Sequence, residues 1–120
     1  MKTINQNELS YVVTVELPEI EEEIGHLHSK DNIAGVMQVV ATYAKDMLRA
    51  KHFAKVSRCM LLVGRLYGCG NASVRDIIAN VFVRSFNGMR TLCSQWEWRQ
   101  LREGMPPNLY AVYVFQNRTY

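Results

Sequence analysis

The residues best suited to metal chemistry do not assemble a complete site. His26 and His28 stand two residues apart, and Glu22 lies one helical turn before His26. On a helix Glu22 and His26 could share a face as metal ligands, but His28 would point well away, and His52 has no sequence tie to them. The three cysteines lack the C-x-x-C spacing of zinc and iron–sulfur sites. We therefore expect no metal and no cofactor.

Cys69 is the candidate nucleophile of the chain. It stands in the string GCGN just before a predicted helix start, where backbone donors and the helix dipole can lower a thiol pKa. A nucleophilic cysteine also needs a histidine and an orienting group within hydrogen-bond reach, and the sequence places neither beside it. The surrounding glycines resemble a phosphate loop only loosely, because the lysine of a P-loop is absent. The sequence therefore predicts a protein that is not an enzyme.

Length and composition indicate one soluble domain over residues 1–120. Hydrophobic residues make up 48 % and charged residues 21 % of the chain, close to the averages of globular proteins. The apolar runs are far shorter than the roughly 20 residues of a membrane span, and no secretory signal follows the first methionine. An odd number of cysteines does not suit a disulfide scaffold. We expect a cytoplasmic protein with reduced thiols and no membrane partner.

Two long amphipathic helices are predicted in the first half of the chain. Apolar residues recur at spacings of three and four over residues 33–48 and again over residues 53–67. Asp31 or Asn32 supplies the cap of the first helix. The string GCG at residues 68–70 allows the left-handed conformation that ends the second helix. Since only a tight turn separates the helices, we expect an antiparallel pair.

The second half contains two further predicted helices. Ser73 opens a capping signature, and the helix after it should run to about Asn87 and lie at the centre, because its apolar residues cover more than one stripe. Residues 89–103 are predicted as one more helix, ended by a glycine and two prolines. The apolar pattern that starts at Ile33 recurs at Val74, so stacked helix pairs are an alternative arrangement.

Two segments are compatible with helix and with strand. Residues 11–17 are rich in β-branched side chains, and residues 109–115 form a continuous apolar and aromatic run. A two-stranded sheet is marginal, and these runs would have to pair from opposite ends of the chain, so we weigh helix slightly higher. The predicted fold is all-α, a single compact bundle of about five to six helices.

Charge is segregated along the chain, whose net charge is +3. Residues 1–30 hold two cations and six anions, whereas residues 31–120 hold twelve cations and five anions. The acidic cluster after Pro18 suits the first turn of a helix, where the positive end of the dipole favours carboxylates. We expect this cluster either to be solvated or to lie against the basic remainder.

Basic residues around positions 45–65 form a candidate nucleic-acid surface. This basic face comprises Lys45, Arg49, Lys51, Lys55 and Arg58. A glycine turn then leads to the next helix, an outline that permits helix-turn-helix docking. That helix is apolar over much of its circumference, and a net charge of +3 is a modest field for phosphates. Nucleic-acid binding is therefore the alternative hypothesis.

Aromatic residues in the last quarter form the candidate protein interface. Trp96 and Trp98 lie about 200° apart on a helix, so we expect them to face different sides. With Tyr110, Tyr113 and Phe115 they supply the side chains that carry protein–protein hot spots. The leading hypothesis is a non-catalytic helical domain for protein interaction or self-association, whose partner is another protein or a second copy.

A resemblance to a known family rests on four strings: Val36-Met37-Gln38, Gly70-Asn71, NVFVRSF at residues 80–86, and Met105-Pro106-Pro107-Asn108-Leu109-Tyr110. Over roughly residues 15–120 the chain resembles a family of small helical proteins of unknown function from Bacteroidetes-type bacteria. The resemblance implies an all-α bacterial cytoplasmic domain, with helix for the first and last segments, and it assigns no catalytic residues.

Overall fold

The computed structural model describes residues 6–27 and 32–117, and this part of the chain contains helices and turns but no strand. Seven helices follow one another: α1 Gln6–Glu16, α2 Glu21–Gly25 after a 3-10 turn at Pro18–Ile20, α3 Ile33–Arg49, α4 Phe53–Cys69, α5 at 72–92, α6 Gln95–Glu103 and α7 Pro107–Asn117. The all-α prediction is confirmed. The segments left open between helix and strand are helical, apart from residue 17, and lie in α1 and α7.

The number of helices differs from the five to six predicted. Leu17 leaves the helical conformation and Pro18 begins a new helical segment, since proline fits the first position of a helix. Gly88 does not end α5, because its φ of −69° is helical and a final 3-10 turn follows. The single helix predicted over 89–103 is therefore wrong, and the break falls at Cys93, which is extended with a φ of −147°.

Side-chain caps fix the start of three helices. Asn32, one of the two predicted caps of α3, accepts a hydrogen bond from the backbone N–H three residues on. Helix α5 is capped in the same way by Asn71, so the predicted start at Ser73 is two residues late. At α6, Ser94 and Glu97 form a reciprocal capping box.

Helix α3 lies at the centre and contacts α1, α2, α4 and α5. Its fully buried stripe follows the predicted helical period and consists of Val36, Met37, Val40, Ala41, Ala44 and Leu48. Helix α5 packs against it through a π-helical stretch, Ile78–Val83. Within this stretch the carbonyl of Ala79 accepts a hydrogen bond from Gln116 Nε2 at 2.9 Å, which docks α7 on α5. As expected, both faces of α5 thus have neighbours.

The two ends of α4 are both tight. Before it, Lys51 adopts a φ of 64°, which closes the short turn predicted between α3 and α4. After it, Gly70 is extended with φ −79° and ψ 153°, so the predicted left-handed stop is wrong. Space requires glycine there, because a Cβ would lie 2.6 Å from Val74 Cγ1.

Within the described ranges, no helix has the length and apolar character needed to cross a membrane.

Candidate interaction surface

Three of the five aromatic residues predicted at the interface, Trp98, Tyr110 and Tyr113, cluster near Phe86 of α5. The ring centroid of Phe86 lies 4.7 Å from that of Trp98 and 5.4 Å from that of Tyr113. Tyr110 extends the cluster, with its centroid 6.3 Å from that of Tyr113. Only 6 % of Trp98 is exposed. Trp98 therefore joins α6 to α5 and α7 from inside the protein and offers a partner almost no surface.

Trp96 faces a different side of α6. It is 68 % exposed and lines a cleft of about 300 Å³ together with Phe53 and Ser57 of α4. Among the described residues it makes no ring contact with the cluster around Phe86. The prediction that the two tryptophans face different sides is confirmed, and the five candidate residues do not form one surface.

Helix α7 presents an exposed apolar stripe. Most of its circumference is apolar, yet only Leu109 is buried. Tyr110, Val114 and Phe115 are 42 %, 41 % and 69 % exposed, and Ala111 is exposed as well. Residues at these spacings adjoin on a helix, so the four exposed residues form one surface, the α7 stripe. No residue of α7 carries a charge.

Part of this stripe is predictable from the sequence. Tyr110 and Phe115 are among the predicted interface residues, whereas Val114 is not, and the half-buried Tyr113 is predicted with them. The available signal is an 11-residue segment that is apolar almost all round. Such a pattern indicates contacts on several sides but does not tell which side the rest of the bundle covers.

Three residues of the predicted basic face are paired within the chain. The ion pairs are Arg49–Asp46 at 2.9 Å, Lys51–Glu97 at 3.0 Å and Arg58–Glu19. Lys45 and Lys55 have no ion-pair partner in the part of the chain that the structure describes. Pairing lowers the positive potential that phosphates would meet at this face. Nucleic-acid binding here stays a prediction, and no described contact favours it.

The acidic N-terminal segment contacts the basic helix α4 within the chain. The Tyr43 hydroxyl donates to Glu19 Oε2 at 2.5 Å, and the Arg58 guanidinium donates to the same oxygen. These donors, the Tyr43 hydroxyl first, lower the pKa of Glu19. Burial, with the nearby carboxylate, raises the pKa of Tyr43 to about 12. A second ion pair joins Glu16 to Arg65 at 2.8 Å.

The residues weighed for metal or nucleophilic chemistry stay apart. Over the described residues, no three His, Cys, Asp or Glu side chains are grouped as metal ligands. His26 is exposed at the end of α2, and His28 lies outside the described residues. Cys69 ends α4 and has no described hydrogen bond to a histidine. Burial raises the pKa of Cys59 to about 12, which keeps this thiol protonated.

The family model described as Domain of unknown function (DUF7674) matches residues 12–119. No curated protein and no solved structure matches the chain.

Proposed function

Because the chain belongs to the DUF7674 family, a domain of unknown function, we propose a function from its own surface: it is a non-catalytic helical domain that self-associates through the α7 stripe. The partner is a second copy of the chain. The observation that carries this proposal is an exposed apolar helix face without a single charged residue.

Self-pairing suits this face because of its lack of charge. In a two-fold dimer the same surface of both copies meets, so any charge on it would face its like. The α7 stripe avoids that repulsion and buries apolar area, which contributes about 25 cal/mol per Å² removed from water. Tyr110 and Phe115 supply aromatic anchors, and Val114 and Ala111 leave grooves between them.

The size of the stripe sets the expected strength of the dimer. Standard stable interfaces bury about 1,600 Å² in total, and two faces of an 11-residue helix bury less. We therefore expect a reversible dimer with a Kd of about 1–100 μM. Because the contact is apolar, its affinity should change little between about 50 mM and about 500 mM salt.

Light scattering coupled to size-exclusion chromatography tests this proposal. Loaded at increasing concentration, the wild-type chain should rise from a mass of 13.8 kDa toward twice that value, equally at both salt concentrations. A mass that stays monomeric up to about 1 mM, well above the expected Kd, contradicts the proposal.

Two matched variants test whether the dimer contact lies on α7. Phe115→Glu puts a charge on the most exposed aromatic residue of the stripe and should leave a monomer, while its fold survives because Phe115 is 69 % exposed. Leu61→Glu makes the same change at a 61 % exposed position of α4 and should dimerise as the wild type does. Thermal unfolding of both variants by circular dichroism confirms that they are folded. Equal loss of dimer in both variants would place the contact elsewhere.

A further inference from the structure

Helices α5 and α6 meet at a polar cleft of about 250 Å³ that carries three arginines. Arg90 lies in the last turn of α5, and Arg99 and Arg102 stand three residues apart on α6, so all three side chains line the cleft. Ser94 and Trp98 complete the wall between them. These residues form the arginine cleft.

The three arginines have no partner in the described part of the chain, unlike most other arginines there. Arg49, Arg58 and Arg65 are held by carboxylates. Arg75 donates to the carbonyls of Tyr67 and Gly68 at the end of α4. Of the four described arginines that are left without a partner, three line this one cleft and the fourth is Arg84.

Among the described residues, no carboxylate lines the cleft, and Glu103 lines the adjoining cavity that it shares with Arg102. The carboxylate of Glu97 accepts from Ser94 N–H at 2.8 Å and from Lys51 Nζ at 3.0 Å, on the side of α6 that faces α4. Cys93 also lines the cleft, and its Sγ donates to the Met89 carbonyl at 3.6 Å. Burial raises the pKa of Cys93, so the thiol stays neutral. Three guanidinium groups therefore line the cleft without an ion-pair partner among the described residues.

We propose that the arginine cleft binds a small phosphate-bearing anion, with pyrophosphate as a compact representative that offers oxygens to all three guanidinium groups. Guanidinium groups stay charged at physiological pH and bind phosphate oxygens with two parallel hydrogen bonds. The N–H groups of Ser94 and Glu97 at the start of α6 are bound within the capping box, so the three guanidinium groups are the donors of this site. A volume of about 250 Å³ is at the small end of ligand pockets and suits a compact ligand.

Tryptophan fluorescence and calorimetry test this site. The chain has two tryptophans, so Trp96→Phe leaves Trp98, which lines the cleft, as the single reporter. Sodium pyrophosphate, titrated at constant ionic strength, should give saturable binding in isothermal titration calorimetry with a Kd below about 1 mM. Orthophosphate, which presents fewer oxygens to the three guanidinium groups, should bind more weakly. Absence of saturable pyrophosphate binding up to about 10 mM overturns the proposal.

Matched arginine variants separate the cleft from general electrostatic attraction. Arg99→Gln and Arg102→Gln should each weaken pyrophosphate binding by about tenfold or more, because each removes a two-bond contact. Arg84→Gln removes an equal charge outside the cleft and should leave the Kd unchanged. A loss as large in Arg84→Gln as in Arg99→Gln overturns the assignment. The monomeric Phe115→Glu variant should bind pyrophosphate like the wild type, so failure of self-association would not imitate failure of this site.

Discussion

At the scale of single residues, Glu19 connects three parts of the fold. It lies in the turn before α2, accepts a hydrogen bond from Tyr43 of α3 and binds Arg58 of α4. The other members of its acidic cluster, Glu21, Glu22 and Glu23, are exposed. One carboxylate of the cluster therefore links helices, and its neighbours lie in the first turn of α2, where the helix dipole favours negative charge.

The Glu19 contacts predict a specific loss of stability in acid. The pKa of Glu19 is lower in the folded chain than its ordinary value of 4.5. The ionised Glu19 therefore adds to the free energy of unfolding above pH 4.5, and this addition is lost as pH falls through the folded pKa. Urea unfolding over a pH series should show a smaller acid-induced fall in unfolding free energy for Glu19→Gln than for the wild type. Glu22→Gln, the exposed control, should retain the wild-type fall. Superimposable profiles for Glu19→Gln and the wild type would show that these contacts do not contribute.

Tyr43 predicts the opposite pH dependence. The pKa of Tyr43 is raised to about 12 in the folded chain, against about 10 in the unfolded chain. The protonated hydroxyl therefore adds fully to the free energy of unfolding below about pH 10, and this addition is lost as pH rises between about 10 and 12. Tyr43→Phe should lower the unfolding free energy at neutral pH by about 1 kcal/mol, since it removes a hydrogen bond to a partly exposed carboxylate. Tyr43→Phe should also reduce the fall in unfolding free energy that the wild type shows at alkaline pH. Tyr11→Phe, at a 72 % exposed position, should change neither quantity in the same denaturation series.

At the scale of helices, the two glycines Gly64 and Gly88 differ in what lies across from them. A Cβ on Gly64 of α4 would lie 2.8 Å from Cβ and Cγ of Pro106, where the chain enters α7. The Gly64 carbonyl also accepts from Asn108 Nδ2 at 2.9 Å. A Cβ on Gly88 of α5 would meet nothing within 4 Å. Close approach of α4 and the start of α7 therefore depends on Gly64.

The same substitution at these two glycines should have opposite effects. Gly64→Ala should destabilise the chain by about 1–3 kcal/mol, because the rigid proline ring has to move. Gly88→Ala should stabilise it by about 0.5–1 kcal/mol, because alanine loses less backbone freedom in a helix. Urea denaturation of both variants against the wild type measures the two values. If both substitutions changed the unfolding free energy in the same direction, helix propensity and not packing against Pro106 would determine the effect at both glycines.

Sequence patterns predict the helices of this fold better than its breaks and surfaces. The 3.6-residue period locates α3 and α4 closely, because one stripe of each is buried against the bundle. The pattern predicts a stop at Gly88, where glycine is merely tolerated in a helix, and a left-handed Gly70, where the reason for glycine is contact with Val74. The arginine cleft needs the break at Cys93, which brings the end of α5 beside α6. The local signal for that break is the capping-box pattern of Ser94 and Glu97, which the apolar period over residues 89–103 obscures.

At the scale of the whole molecule, ion pairs in the folded chain neutralise part of its segregated charge. Carboxylates of the acidic N-terminal segment are paired with α4 through Glu16 and Glu19. The remaining surface has an uncharged stripe on α7 and, between α5 and α6, a cluster of arginines without ion-pair partners among the described residues. The two surfaces are near each other, since Arg102 lines the arginine cleft and also a cavity that includes Tyr110. An apolar self-contact and an anion site would then occupy adjacent regions.

The most direct test of self-association through α7 is a dilution series followed by two-dimensional amide NMR. Between about 1 mM and about 10 μM, a range that spans the expected Kd, amide shifts should change at residues 110–115 with one common midpoint. Amides near Trp96 and Leu61, exposed positions on other helices, should keep their shifts. Shifts that do not depend on concentration, or changes centred on Trp96 or on α1 instead of α7, would contradict the account.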